Sequence, residues 1–162
     1  GIEPSIVLTY RDEYIKIKGL KASFQVQLLQ EFLWENQARL KQKIGDRISE
    51  LNRYYLFGHC TEKTIALNSQ KQWQQIFQML KIPLSLVPTG CCGMAGIYGH
   101  EAEHYNESQG IYSLSWRRQI SSDVEQRKFC LATGYSCRSQ IKRFDSFVPL
   151  HPIQVILLHC KI

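Results

Sequence analysis

The sequence predicts an α/β fold: three layers, with a mostly parallel sheet, helices on both faces, and cysteine loops at the carboxyl ends of the strands. Three observations carry that expectation. Short apolar runs, each followed by a loop and a helical pattern, recur from residue 53 onward. Each of these runs leads directly into a turn that carries cysteine. The chain has 162 residues, 44% apolar and 21% charged, which suits one domain with a sizeable core.

The elements follow in order. Glu3 to Tyr14 reads as a helix, with Pro4 in its first turn and acidic Glu3 at its positive end. Ile6, Tyr10, and Ile15 or Ile17 fall near one face of it. Phe24 to Leu40 reads as a second helix, because Phe24, Leu28, Phe32 and Asn36 recur at a spacing of four beside Leu29 and Leu33. Lys41 to Asn52 is polar, helix and then loop. Arg53 to Gly58 is a short aromatic run of the kind that forms a buried strand. Asn68 or Ser69 caps a helix to Leu80, with Trp73, Phe77 and Leu80 on its inner face. Pro83 to Pro88 is the second strand, and Thr89 to Gly96 is a loop that opens a helix. That helix continues over His104 to Ile120. Phe129 to Thr133 is the third strand and Gly134 to Cys137 the turn after it. Arg138 to Phe144 is a short helix, and Pro152 starts a last one through Leu158.

Composition excludes several classes of function. No apolar run approaches the ~18 residues of a membrane span, and no secretory signal opens the sequence, so a cytoplasmic location is expected. The formal charge is +6, from 20 Lys+Arg against 14 Asp+Glu. Those cations are dispersed rather than gathered in a tract with interleaved aromatics, which predicts a solvated basic surface and no nucleic-acid partner. Gly-x-Gly-x-x-Gly, P-loop and Gly-x-Ser-x-Gly motifs are absent from the sequence. The pattern begins at Gly1 without a preceding strand, as in a piece cut from a longer protein.

The chemistry gathers in the cysteines, at 60, 91, 92, 130, 137 and 160. Cys60 follows the first strand, Cys91 and Cys92 the second, and Cys137 the third. In an open α/β sheet, binding sites lie at the carboxyl ends of strands. Three strand ends therefore deliver four thiols to one edge. Gly58, Gly90, Gly93, Gly96 and Gly134 allow tight turns around them. A helix N-terminus after each loop would favour the thiolate form that binds metal. Four thiolates suit a 4Fe–4S cluster or a zinc ion. Cys130, inside a strand, is expected in the core, and Cys160 as an incidental thiol. His59 stands beside Cys60 as a ligand or a neighbour of the cluster. His100 and His104 have zinc spacing but sit at a solvated helix start, and His151 reads as a loop or capping residue.

These residues also carry a resemblance. Gly90-Cys91-Cys92-Gly93-Met94-Ala95-Gly96 resembles the Cys-Cys-Gly signature of the cysteine-rich domain found in heterodisulfide reductase and in anaerobic glycerol-3-phosphate dehydrogenase. Gly1 to Tyr14 looks like the Glu-Pro-Ser-Cys segment of that domain. His59-Cys60 looks like its first cysteine site, and Ala132 to Gln140 like its C-x-x-C segment. Gly90 to Gln140, with His151-Pro152, is most similar to the C-terminal part of bacterial FAD-linked oxidases with iron–sulfur motifs, of the D-2-hydroxyglutarate dehydrogenase type. Two family cysteines are replaced, one by Ile6 and one by Gly134.

The resemblance implies a single cysteine-rich domain over 1–162, the C-terminal fragment of a larger flavin and iron–sulfur oxidoreductase. It implies a 4Fe–4S cluster on Cys60, Cys91, Cys92 and Cys137, one thiolate per iron. His59, Gly90, Gly93, Gly134 and His151 would surround it. FAD would lie upstream and oxidise a D-2-hydroxy acid, and this domain would pass the electrons on without being catalytic itself. The partners implied are the flavin and ferredoxin-like domains of the same polypeptide, with membrane contact only through an acceptor. The alternative is a structural zinc or metal-free interaction module of the same enzyme.

Overall fold

A computed structural model describes residues 1–17, 24–44, 52–120 and 123–159. Cys160 and most of the loop expected after Ile44 lie outside these residues. The sheet has three parallel strands: β1 (Tyr54–Phe57), β2 (Leu84–Leu86) and β3 (Cys130–Ala132), in the order β2-β1-β3. Leu150 adds a one-residue parallel bridge to Leu131, beyond β3. Helices α1 (Pro4–Asp12), α2 (Leu29–Glu35), α3 (Gln37–Ile44), α4 (Cys60–Ile65), α5 (Ser69–Met79), α6 (Tyr105–Gln119), α7 (Val124–Arg127), α8 (Tyr135–Asp145) and α9 (Pro152–His159) complete the described elements. None of these helices is long and apolar enough to cross a membrane.

The expected α/β architecture is present. Parallel strands are covered on both faces, so they read as nearly continuous apolar runs. Tyr54, Leu56, Leu84 and Leu131 point to one face and pack with Trp73, Ile76 and Phe77 of α5 and Val155 and Ile156 of α9. Phe57, Cys130 and Ala132 point to the other face, where Tyr112 and Trp116 of α6 and Ile141 of α8 cover them. Cys130 belongs to this core, as expected, and burial pushes its thiol up to about 11.

Several boundaries differ, each for a local reason. The helix expected over Phe24 to Leu40 is two helices, because the chain leaves helical geometry at Asn36, whose amide side chain donates to the Phe32 carbonyl. Phe24 and Phe32 face solvent and Leu28 is the buried member of that spacing. On α1 the buried residues are Val7 and Leu8, while Ile6 and Tyr10 are exposed. Strand β2 is shorter than the Pro83–Pro88 run, since neither proline has an N–H to add to the ladder. The turn expected at Gly134–Cys137 is already helical, with Gly134 as the N-cap of α8. No α-helix follows Cys91-Cys92 directly: 3-10 turns at Tyr98–His100 and Ala102–His104 intervene, and α6 begins at Tyr105.

Candidate metal centre

Each predicted cysteine reaches its place by a different local device. Cys60 is the first residue of α4, capped by His59, whose Nδ1 accepts from the Thr61 N–H at 3.2 Å. Cys137 lies in the first turn of α8 and is fully buried. Cys91 and Cys92 lie in the loop after β2, and three helices hold that loop by its backbone. Gly90 donates its N–H to Ser115 Oγ and accepts from Trp116 Nε1, both at 3.0 Å, so α6 grips it at both polar atoms. The Cys92 carbonyl accepts from Gln140 Nε2 of α8 at 2.9 Å. Ser108 Oγ of α6 donates to the Gly93 carbonyl at 2.8 Å. Lys63 of α4 donates its ammonium to the Thr89 carbonyl.

Gly93 is needed here. Its φ is +86°, and a Cβ would run into the Ser108 carbonyl oxygen. Gly134 is needed for a different reason. A Cβ there would strike the His59 ring and lie 3.3 Å from Cys137 Sγ. His59 thus fills the space that a side chain at 134 would take, and a cysteine there would require the imidazole to move.

Pairwise interactions link the four thiols in a line: Cys60 with Cys91, Cys91 with Cys92, and Cys92 with Cys137. Cys91 stands between Cys60 and Cys92 in this line. Hydrogen bonds from Cys60 and Cys92, and another from the Gly93 N–H at 3.3 Å, hold it far below the usual thiol range. The bond to Cys91 raises Cys60, with burial adding to it. The bonds to Cys137 and Cys91 raise Cys92. The uniform lowering expected from helix N-termini therefore fails. Neighbouring thiolates repel, so ionisation concentrates on the sulfur that accepts the most hydrogen bonds.

The remaining residues of the expected surroundings are placed as follows. His59 is buried, and its Nε2 pairs with Ser136 Oγ at 3.2 Å. His151 is buried away from the thiol contacts: its Nδ1 accepts from the Ile153 N–H and its ring meets Trp73 edge-on. His104 stacks on Tyr98 at 4.0 Å, and with Glu101 and Glu103 it forms a group of ligand atoms within 4.8 Å of one another on the surface.

Beneath the cysteines lies a polar knot that sequence reasoning missed. Glu62, fully buried, accepts from Gln30 Nε2 at 3.0 Å, from Ser69 Oγ, and from Thr133 Oγ1 at 2.5 Å. Thr133 Oγ1 in turn accepts from the His59 N–H at 2.9 Å. The knot ties the first cysteine turn to the third. Burial raises the Glu62 carboxyl above the usual range. The available signal was its place two residues after Cys60, on the same short helix.

The donor set fits a thiolate-bound cluster. Four sulfurs come from three strand ends, an N–H already points at one of them, and Lys63 stands near Cys60, Cys91 and Cys137 with its charge.

No protein-family model and no solved structure matches the chain. Curated proteins do. The D-2-hydroxyglutarate dehydrogenase of Haemophilus influenzae is 42% identical over 97% of this chain and 16% of its own length. That of Pantoea ananatis is 44% identical over 97% of this chain and 15% of its own length. The protein of the same name in Escherichia coli K12 is 43% identical with the same coverage. The chain spans about one-sixth of the length of these relatives. Along nearly all of its length, the chain is homologous to a segment of D-2-hydroxyglutarate dehydrogenases, which are oxidoreductases.

Proposed function

We propose that this chain is the electron-transfer segment of a D-2-hydroxyglutarate dehydrogenase-like flavoprotein, and that Cys60, Cys91, Cys92 and Cys137 hold a 4Fe–4S cluster. The observation that carries the reading is the delivery of four interacting thiols by the ends of three parallel strands. When bound, such a cluster supplies one-electron transfer at a potential set by its surroundings. The chain's own contribution is positional. The knot at Glu62 fixes Cys60 relative to Cys137, while α6 and α8 fix Cys91 and Cys92. Met94, Phe57 and Trp116, all buried beside Cys92, exclude water from one side. Lys63 offsets part of the thiolate charge.

The wider reading places FAD and ferredoxin-like motifs elsewhere in the same polypeptide, in the reducing cytoplasm that keeps such thiols free. A zinc site is the rival. A tetrahedral zinc needs its four sulfurs closed around one point. Among the described residues, the group of ligand atoms that close is the surface set of Glu101, Glu103 and His104, with no cysteine in it.

Anaerobic reconstitution with iron and sulfide tests the proposal. About four irons per chain and cluster absorbance are expected, with both largely lost in Cys92→Ser. A folded protein that takes up no iron, or that binds one zinc in preference, overturns it.

A further inference from the structure

A cavity of about 460 Å³ lies where the N-terminal residues of α1 and α8 meet. Ile2, Ile6 and Tyr135 supply its apolar wall; they are 57%, 57% and 71% exposed. Its polar lining includes Glu3, Arg138 and His151. His151 is only 3% exposed, yet its bonding is incomplete. Nδ1 accepts from the Ile153 N–H, which puts the ring proton on Nε2, and among the described residues Nε2 has no hydrogen-bond partner. Burial, with the nearby Arg138 charge, holds His151 down at about 4, so the ring is neutral at pH 7 and keeps that N–H. Arg138 uses Nε on the Pro149 carbonyl, at 3.0 Å. Its two terminal nitrogens have no partner among the described residues. Glu3 is already committed: its carboxylate accepts from Ser5 Oγ at 2.8 Å, from Ser5 N–H at 3.4 Å and from Tyr135 N–H at 2.6 Å. It therefore neutralises the helix terminus rather than Arg138.

We propose that this cavity binds a small organic carboxylate, its carboxylate taken by Arg138 and His151 Nε2–H and its carbon skeleton lying on Ile2, Ile6 and Tyr135. A guanidinium with two open donors beside an imidazole N–H is a carboxylate-binding set. The apolar wall distinguishes an organic acid from a bare oxyanion. The site makes no use of the cysteines, so it stands or falls separately from the cluster.

The test is an amide NMR titration of the metal-free 162-residue chain at low salt, with glutarate as probe and glutaramide and inorganic phosphate as controls. Saturable shifts are expected at residues 133–138 and 151–153, with a Kd on the order of 1 mM. Arg138→Gln should weaken binding about tenfold or more. Ile6→Glu, at an exposed position that leaves the fold alone, should do the same by repulsion. The proposal is overturned if glutarate gives no saturable shifts, if glutaramide or phosphate binds as well as glutarate, or if binding survives both substitutions.

Discussion

Two stretches separated by only a few residues carry residue types able to ligate a metal, and they could hardly differ more. In the loop at 89–93, helices α4, α6 and α8 all send side chains to backbone atoms, and Cys92 is buried. The segment from Glu101 to His104 is arranged in 3-10 turns at the surface, held by a ring stack and a 3.6 Å contact between His104 Nε2 and the Glu101 carboxylate. The second brings its donor atoms closer together than the first does. Proximity of donors is thus a poor guide on its own. What distinguishes the cysteine loop is that the backbone under the donors is fixed before any ligand arrives, so little ordering cost remains at binding.

That contrast can be broken by experiment. Gly93→Ala should have the largest effect, because it forces a left-handed φ on alanine and drives a methyl into the Ser108 carbonyl. A loss of roughly 3 kcal/mol in denaturant unfolding is expected, along with loss of iron uptake. Near-normal stability and loading would mean the loop is not held as described. Glu62→Leu leaves Gln30, Ser69 and Thr133 short of an acceptor and should cost about 2–3 kcal/mol, whereas Glu62→Gln should cost about 1 kcal/mol. Equal losses in the two variants would remove the knot from the account.

The histidines sharpen the same contrast. Burial and the nearby Arg138 charge lower the pKa of His151 from 6.5 to about 4, in a cavity lining it shares with Glu3. Unfolding lets it take a proton, so its contribution to stability is intact above pH 6.5 and drains away as pH falls toward 4. The loss should reach about 1–3 kcal/mol and flatten in His151→Gln, measured by urea melts across that window. An unchanged slope in the variant would place the pH dependence elsewhere. Exposed His104→Ala should change stability by no more than about 0.5 kcal/mol and leave iron per chain unaltered. A drop in iron content would make the surface group part of the centre after all.

The sequence made the sheet legible, because parallel strands buried on both faces leave short, dense apolar runs such as Tyr54 to Phe57. It also placed the four cysteines at strand ends, since topology alone decides that. What it hid were polar residues doing interior duty. Glu62, Ser108, Thr133 and Gln140 look like solvent-facing positions of amphipathic segments, and nothing local reveals that their partners lie far along the chain. Helix α4 went unseen because six mostly polar residues carry no periodic signal. The late start of α6 was hidden too. Positive φ at Gly93, Ala95 and Gly96 turns the chain away from a helix that the glycines alone could not exclude.

The knot between Thr133, Glu62 and His59 has a consequence for biosynthesis. Its members, like the four thiols above it, are scattered across the primary structure, and Glu3 from the first helix meets Tyr135 at the start of α8. A growing polypeptide on the ribosome therefore has no part of the cysteine centre complete until α8 has emerged and the sheet has closed. Loading of the proposed cluster would then be a post-translational event, open only to a chain that has already folded.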